Sequence, residues 1–522
     1  MNRKDFARAA GLLTVLTVVA KFVGFLRQTV LNAYFGATAT TDAWVAARTI
    51  PDLIWMVIAT ALSTTVVPAY TSEAVHDRAR ADRLASSLIL IAALAGLIVG
   101  LPLWLLAEPI LRLLEPGFTP EQIAQSASLS RVILPMMIWL GVSAVLTGVL
   151  QALRRFTAPA LAPIWQNLAV ITMIVIMASR WGIMAAAVGL LVGTMLQALG
   201  QLPGLRGTGF RFHWRIDWRQ PALAEVGRLV LPVLAGMIVV QLNPVINRML
   251  ASMLPHGSLS MLENANLLYM LPVGLFTQAV GVVIYPALAE RSEAGDARGR
   301  LRLLVRGLDL AVIVSLPVLA GIVLLGEPLI RLLFEHGRFG AAATAGTASA
   351  LTMYALALPA AAGFELVRRT YYAAHETRRP MQVSVAAVVL NIALSFLLVR
   401  PLAQAGLALA NAIATWFQFF VLSSGFKGLA AAMRKERGKW FRILLATLGM
   451  AAALGAFLLL WPAPGPATRI VTQAAWLAAA AAIGLGIYAA LLELLHVPEW
   501  EEGVELLRQR LVRLRGRRRP GT

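Results

Sequence analysis

Lys21 and Arg27 stand in the middle of the first long apolar stretch of this chain, from about Leu12 to Phe35, and Arg48 and Asp52 stand in the next. A cation at the centre of a bilayer costs about 3 kcal/mol on insertion scales, so it faces protein or a water-filled cavity. Uncompensated positive charge in such a place has a plain chemical use, to meet an anionic substrate, and phosphate is the first class to consider. On a helix, Lys21, Gly24 and Arg27 share an arc of about 120° with Gly24 between the cations. That arc can line a cavity in which Gly24 leaves room for a headgroup and Gln28 hydrogen-bonds to it. In the competing reading the two cations snorkel, or pair with Asp42 and Asp52. Arg48 and Asp52 have the spacing of an intrahelical salt bridge, and Pro51 between them predicts a kink.

Farther along the chain the polar residues of the apolar stretches are mostly neutral: Gln241, Asn243, Asn247, Asn264, Asn266 and Asn391, with Glu263 beside them. Asn243, Asn247 and Asn391, with carbonyls freed next to Pro244, are a candidate Na⁺ site. The alternative is that these amides bond neighbouring helices. Glu365, Arg368 and Arg369 sit at the inner end of a later stretch and suggest an interfacial cluster or a gate. Glu115 and Glu121, in a short external loop, are the carboxylates an intramembrane enzyme would use, but the loop is too short for a catalytic domain. The chain has no cysteine, so no thiol chemistry and no Cys-ligated metal. Its six histidines form no HExxH pair, and no GxxxxGK[ST] phosphate loop occurs. These absences exclude an ATP motor within the chain and argue against a metalloenzyme or any bound cofactor. The drive must come from membrane potential, an ion gradient (Na⁺ or H⁺) or consumption of product.

The elements that must position these groups are membrane helices. Of 522 residues, 59% are hydrophobic and 14% charged, outside the range of an ordinary soluble domain. Windows of about 20 apolar residues recur around Val23, Met56, Leu94, Val142, Ile171, Leu191, Met237, Phe276, Val314, Leu356, Ala387, Ala412, Ala451 and Ala480. This is an all-α polytopic membrane protein of about fourteen spans. The 46 Lys and Arg against 26 Asp and Glu do not gather on one soluble domain, which argues against nucleic acid; they recur in alternate loops. By the positive-inside rule both termini are cytoplasmic, and the first span is retained rather than cleaved.

Glu108-Pro109-Ile110-Leu111-Arg112-Leu113-Leu114 returns as Glu327-Pro328-Leu329-Ile330-Arg331-Leu332-Leu333. Leu134-Pro135 returns as Leu358-Pro359, and Arg154-Arg155 as Arg378-Arg379. Such a repeat is a common basis of transporter folds. It predicts two six-helix lobes, 1–205 and 220–425, in parallel orientation about a central pathway, with two additional helices over 440–495. From Pro498 to the C-terminus, Trp500, Val504, Leu507, Leu511 and Leu514 with Arg508 to Arg519 predict a basic amphipathic helix on the cytoplasmic leaflet, with anionic lipid as its partner. The chain is expected to act as a monomer.

Gly24-Phe25-Leu26-Arg27, Phe35-Gly36, Thr41-Asp42-Ala43, Ala158-Pro159-Ala160 with Pro163 and Asn167, and Leu332-Leu333-Phe334-Glu335-His336-Gly337-Arg338-Phe339 together resemble the MurJ (MviN) family of lipid II flippases. The resemblance extends over spans one to twelve. It implies outward movement of undecaprenyl-pyrophosphate-linked peptidoglycan precursor across the bacterial cytoplasmic membrane, with the headgroup in a cationic cavity and the lipid tail beside the last two spans. It places Lys21 and Arg27 at the positions of two family arginines. Trp55 and Leu267 stand where the family has further arginines, and Gln28 stands where it has aspartate; Asp42 is kept. Arg48, two turns before Trp55, partly substitutes. The departures leave open another lipid-linked oligosaccharide or a non-transporting envelope scaffold. A drug exporter of the same superfamily would carry acidic and aromatic residues where this first lobe carries cations.

Overall fold

The computed structural model describes residues 3–505 and 509, with side chains described for 15–54, 58, 62, 65–228, 243–278, 280–281, 284–505 and 509. Among the described residues every regular element is helical. In order these are α1 (Arg3–Phe35), α2 (Ala39–His76), α3 (Arg78–Leu105), α4 (Ala107–Leu114), α5 (Pro120–Ile133), α6 (Met136–Ala152), α7 (Thr157–Trp181), α8 (Met184–Leu199), a 3-10 turn (Leu202–Leu205) and α9 (Pro221–Ser252). Then follow α10 (Ser258–Ala279), a π-helical turn (Val280–Ile284), α11 (Tyr285–Glu293), α12 (Ala297–Phe334), α13 (Ala341–Ala355), α14 (Leu358–Ala373), α15 (Arg378–Ser424), α16 (Leu429–Lys435), α17 (Arg437–Leu460) and α18 (Ile470–Leu494).

Eight of these helices are long and apolar enough to cross a membrane, ten spans if the bent pairs α5–α6 and α13–α14 each count as one. The fourteen windows of the sequence are not all met by that criterion. Two features bear on the four that this criterion leaves out. α15 is two helices joined across Ala403, which has non-helical angles (φ 50°, ψ −132°). α2, α9 and α10 are 38, 32 and 22 residues long, and at 1.5 Å per residue each is long enough to span.

The chain divides into two compact units, Met1–Ser260 with His336–Ala343, and Met261–Glu335 with Thr344–Thr522. In the first, α2, α3, α6 and α9 share a core of Val66, Tyr70, Leu84, Leu88, Val145, Val149 and Val226. In the second, Leu304, Leu308, Leu366, Tyr371, Phe419 and Leu422 join α12, α14 and α15. Ile313, Leu325, Ile443, Met450, Leu454, Tyr488 and Leu492 seat α17 and α18 on α12.

The internal repeat is visible in the backbone. The proline after α5 and the one opening α14 mark bends of 42° and 41°, since proline lacks the N–H that would continue the helix. Gly182 between α7 and α8 has φ 54° and ψ −141°, almost the angles of Ala403, and the two are 403 − 182 = 221 residues apart. Arg154 and His375, both with positive φ (59° and 57°), are also 375 − 154 = 221 apart. The sequence pairing of Arg154 with Arg378, at 224, is therefore three residues out of register; the structural partner of Arg154 is His375. The error arises because Leu-Pro and Arg-Arg dipeptides flank corresponding turns without occupying identical places in them.

Candidate functional site

On α1, Lys21 is exposed, Arg27 is half-buried and Gln28 is buried, with Gln28 Nε2 donating to Asn32 Oδ1 at 3.3 Å. Gly24 faces α7, where a β-carbon on it would lie 3.5 Å from Asn167 Nδ2. That amide is itself fixed by donating to the Pro163 carbonyl at 2.8 Å. On α2, Arg48 and Asp52 pair at 2.9 Å, with the Arg48 side chain 15% exposed. The guanidinium also lies 5.3 Å from the Trp44 ring centre, a cation–π contact that holds it against the helix. α2 runs as one helix through Pro51.

Sequence reasoning missed Arg248. It follows Asn247 in α9 and donates from Nη1 to Thr49 Oγ1 at 3.0 Å, so α9 brings a second guanidinium to the residue next to Arg48. The available signal was a lone arginine ending an apolar stretch, beside the more conspicuous amides Gln241, Asn243 and Asn247. Of these, Asn247 Nδ2 donates to Asn243 Oδ1 at 3.2 Å. Asn391 lies in the other unit, where its Oδ1 accepts from Ser395 at 3.4 Å. Among the described residues no group of three His, Cys, Asp or Glu could hold a metal ion. The side chains of Trp55 and Gln241 lie outside the described residues, as do Leu507, Arg508, Leu511, Leu514 and Arg510–Arg519 of the expected amphipathic tail. The described part of that tail, Pro498–Glu505, is helical.

Asp42, in the first turn of α2, is 3% exposed and fully engaged. It accepts from Gly257 N–H at 2.5 Å, Ser260 N–H at 2.9 Å and the Ser260 hydroxyl at 2.8 Å. Charge-assisted bonds of this kind are the strong ones, so Asp42 is a fastener of α2 to the α9–α10 connection. Near it, the turn after α1 and the segment 336–339 interlock. Arg338 N–H donates to the Ala33 carbonyl at 2.9 Å. A β-carbon at Gly337 would fall 2.2 Å from that carbonyl oxygen, and one at Gly36 would fall 2.5 Å from the Arg338 carbonyl oxygen. Both glycines have positive φ, so two independent constraints demand glycine at each. Arg338 is presented at the rim of a cavity of about 880 Å³, lined also by Tyr34, Thr40, Gln125, Ser128 and Ser179.

In the second unit, Glu365 is buried against both Arg368 and Arg369, the latter at 2.7 Å. Arg369 also donates to the Thr277 carbonyl at 3.3 Å and lies 5.8 Å from the Tyr285 ring. It bridges the π-helical turn, where a widened helix leaves carbonyls to be satisfied. Lys439 binds three carboxylates, Asp309 at 2.6 Å, Glu499 at 2.5 Å and Glu436 at 2.9 Å. The cationic connection before α9 is stitched along α3: Arg211, His213 and Asp217 N–H groups donate to Asp82, Ser86 and Ser87 side chains, each at 3.0 Å.

A family model described as lipid II flippase MurJ matches residues 31–477. A probable lipid II flippase MurJ of Rhizobium meliloti (strain 1021) is 29% identical over 512 residues, covering 92% of each chain. The lipid II flippase MurJ of Burkholderia cenocepacia is 27% identical over 500 residues, covering 91% of this chain and 96% of its own. A solved structure of lipid II flippase MurJ in an inward closed conformation superposes with TM-score 0.77 at 24% identity, covering 92% of this chain and 98% of that one. An inward-facing multidrug MATE transporter of the MOP superfamily superposes with TM-score 0.63 at 15% identity over 81% of this chain. The last two are likenesses of fold.

Proposed function

The chain belongs to the MurJ lipid II flippase family, and from that premise we propose that it carries lipid II, the lipid-linked peptidoglycan precursor, from the inner to the outer leaflet of the bacterial cytoplasmic membrane. The observation that carries this reading is the family match from residue 31 to residue 477, which runs through both units. It is a multi-pass membrane protein, and in this reading both termini are cytoplasmic and transport is by alternating access. The pyrophosphate headgroup is met by Lys21 and Arg27 on α1 and by Arg48 on α2. Arg248 supports the reading by adding a cation on α9 where Trp55 and Leu267 offer none. Guanidinium groups suit phosphate because their donors are planar and forked. No step makes or breaks a covalent bond. Membrane potential, worth about 2.3 kcal/mol per charge per 100 mV, is a sufficient class of drive.

The test is complementation in bacteria depleted of their own lipid II flippase, at matched membrane expression. The wild type is expected to restore growth. Arg27→Ala and Arg248→Ala are each expected to reduce flipping by about tenfold or more, the cost of one charge-assisted hydrogen bond. Failure of a correctly inserted wild type would turn the assignment toward another polyprenyl-pyrophosphate-linked oligosaccharide or a scaffold role.

A further inference from the structure

Of the two external-loop carboxylates that the transport reading leaves unused, Glu121 is exposed and Glu115 is buried. The Glu115 backbone N–H caps α4 by donating to Leu111 O at 2.8 Å, and Pro116 prevents the helix from continuing. Gly117 then runs against the end of α9, where a β-carbon would fall 2.4 Å from the Ser252 carbonyl oxygen and from Met253 Cα. This contact encloses the Glu115 side chain, leaving the residue 1% exposed, and neither carboxylate oxygen has a hydrogen-bond partner. The Ser252 hydroxyl lies close enough to favour the ionised carboxyl; in the closed turn it is oriented toward the Met249 carbonyl at 2.8 Å and accepts from the Gly117 N–H at 3.3 Å. Charged and titratable groups come from each element around it. α9 brings Arg248, which attracts the ionised form, and α2 brings Asp42, which repels it. His256 is engaged with Gln122 of α5 at 3.3 Å. Glu108 and Arg112 of α4 pair with each other at the surface, and Glu121 of α5 is exposed.

The second half of the molecule provides a control. Glu335 caps the end of α12 in the same way, after the repeated Arg-Leu-Leu, and its side chain is 7% exposed. There the carboxylate accepts from the Thr344 hydroxyl at 2.7 Å and lies 3.5 Å from Arg331 Nε. In the first half, the opening turn of α5 offers Gln122 instead, and its amide is spent on the Thr119 N–H and on His256. The donor that would hold an anion at Glu335 is missing at Glu115. A buried carboxyl without donors is held as the neutral acid, and burial pushes Glu115 up to about 8.

We propose that Glu115 is a proton-binding site: protonated, it holds the α4–α5 turn closed on the end of α9, and its ionisation, with the proton passing to water, releases the turn. By the loop charges this is the outer face, so the proton exchanges with the external medium. The proposal rests on the transport reading only for its use; the opening can be measured without transport. An acid whose value is raised in the closed state supports closure fully below its ordinary 4.5. That support falls as pH rises toward about 8, and above it there is no further change.

The natural absence of cysteine makes the test clean. Ala251→Cys places a thiol in the buried last turn of α9 (2% exposed), and Met253→Cys places a reference thiol two residues on (63% exposed). The ratio of their labelling rates by a membrane-impermeant maleimide, in proteoliposomes, removes the pH dependence of thiol chemistry. We expect the ratio to rise by up to about tenfold per pH unit, one proton being linked to opening, and to level off above about 8. Glu115→Gln should hold the ratio low at every pH, and Glu335→Gln should leave the wild-type profile unchanged. A flat profile in the otherwise wild-type chain overturns the proposal, whatever the variants do; so does an unchanged rise in Glu115→Gln.

Discussion

At the scale of single residues, Asp42 and Gly337 show how two short polar or flexible positions hold the ends of long helices. Removing the Asp42 carboxylate strands the buried Gly257 and Ser260 donors. Asp42→Ala should therefore cost about 2–3 kcal/mol, read as a lower Tm of the detergent-solubilised protein, with Asp42→Asn intermediate because it keeps one acceptor. Gly337→Ala meets the Ala33 carbonyl at 2.2 Å as well as an unfavourable φ of 61°. It should lower Tm at least as far as the Asp42 variant. The cations of α1 and the Arg48–Asp52 pair were legible because charge in an apolar window is conspicuous and a spacing of four is local. The engagement of Asp42 was not legible, since its partners lie 215 and 218 residues away. Nor was the partner of Arg248: a contact between helices distant in sequence leaves no periodic trace.

At the scale of elements, one cation adds to the apolar core that seats the additional helices on α12. Lys439 of α17 reaches Asp309 of α12 and Glu499 beyond α18, and Trp440 Nε1 donates to the other Asp309 oxygen at 2.7 Å. Three carboxylates gathered on one ammonium are stable only with it in place. Lys439→Met should cost about 3–5 kcal/mol, the usual penalty for leaving buried charge unpaired. Limited proteolysis should then cut first near α17, whereas Lys439→Arg should retain most of the protection. The helices themselves were legible from apolar length; the bends at α5–α6 and α13–α14 fall at Leu134-Pro135 and Leu358-Pro359, which the sequence showed only as a repeat. The stitching of residues 211–217 along α3 was hidden. It uses backbone N–H groups, and any sequence supplies those.

At the scale of the whole molecule, the repeat was legible in its order and approximate offset, but its exact register belongs to the backbone. Gly182 and Ala403 occupy the same turn of the two halves, in a region of φ and ψ that only glycine enters without strain. The first half thus has the relaxed residue and the second the strained one. The two positions allow reciprocal tests. Around Gly182 a β-carbon would meet nothing within 4 Å, so Gly182→Ala adds no clash and its cost, about 1 kcal/mol or somewhat more, is backbone strain alone. Ala403→Gly should recover a similar amount, lessened by the greater freedom glycine gives the unfolded chain. In thermal unfolding the first variant should lower Tm and the second raise it, and the double variant should return close to the wild type because the sites lie in different units and their effects add. A fall in Tm for Ala403→Gly would mean that the alanine methyl makes packing contacts worth more than the strain it imposes. The two halves would then share a backbone path while depending on different side-chain support to maintain it.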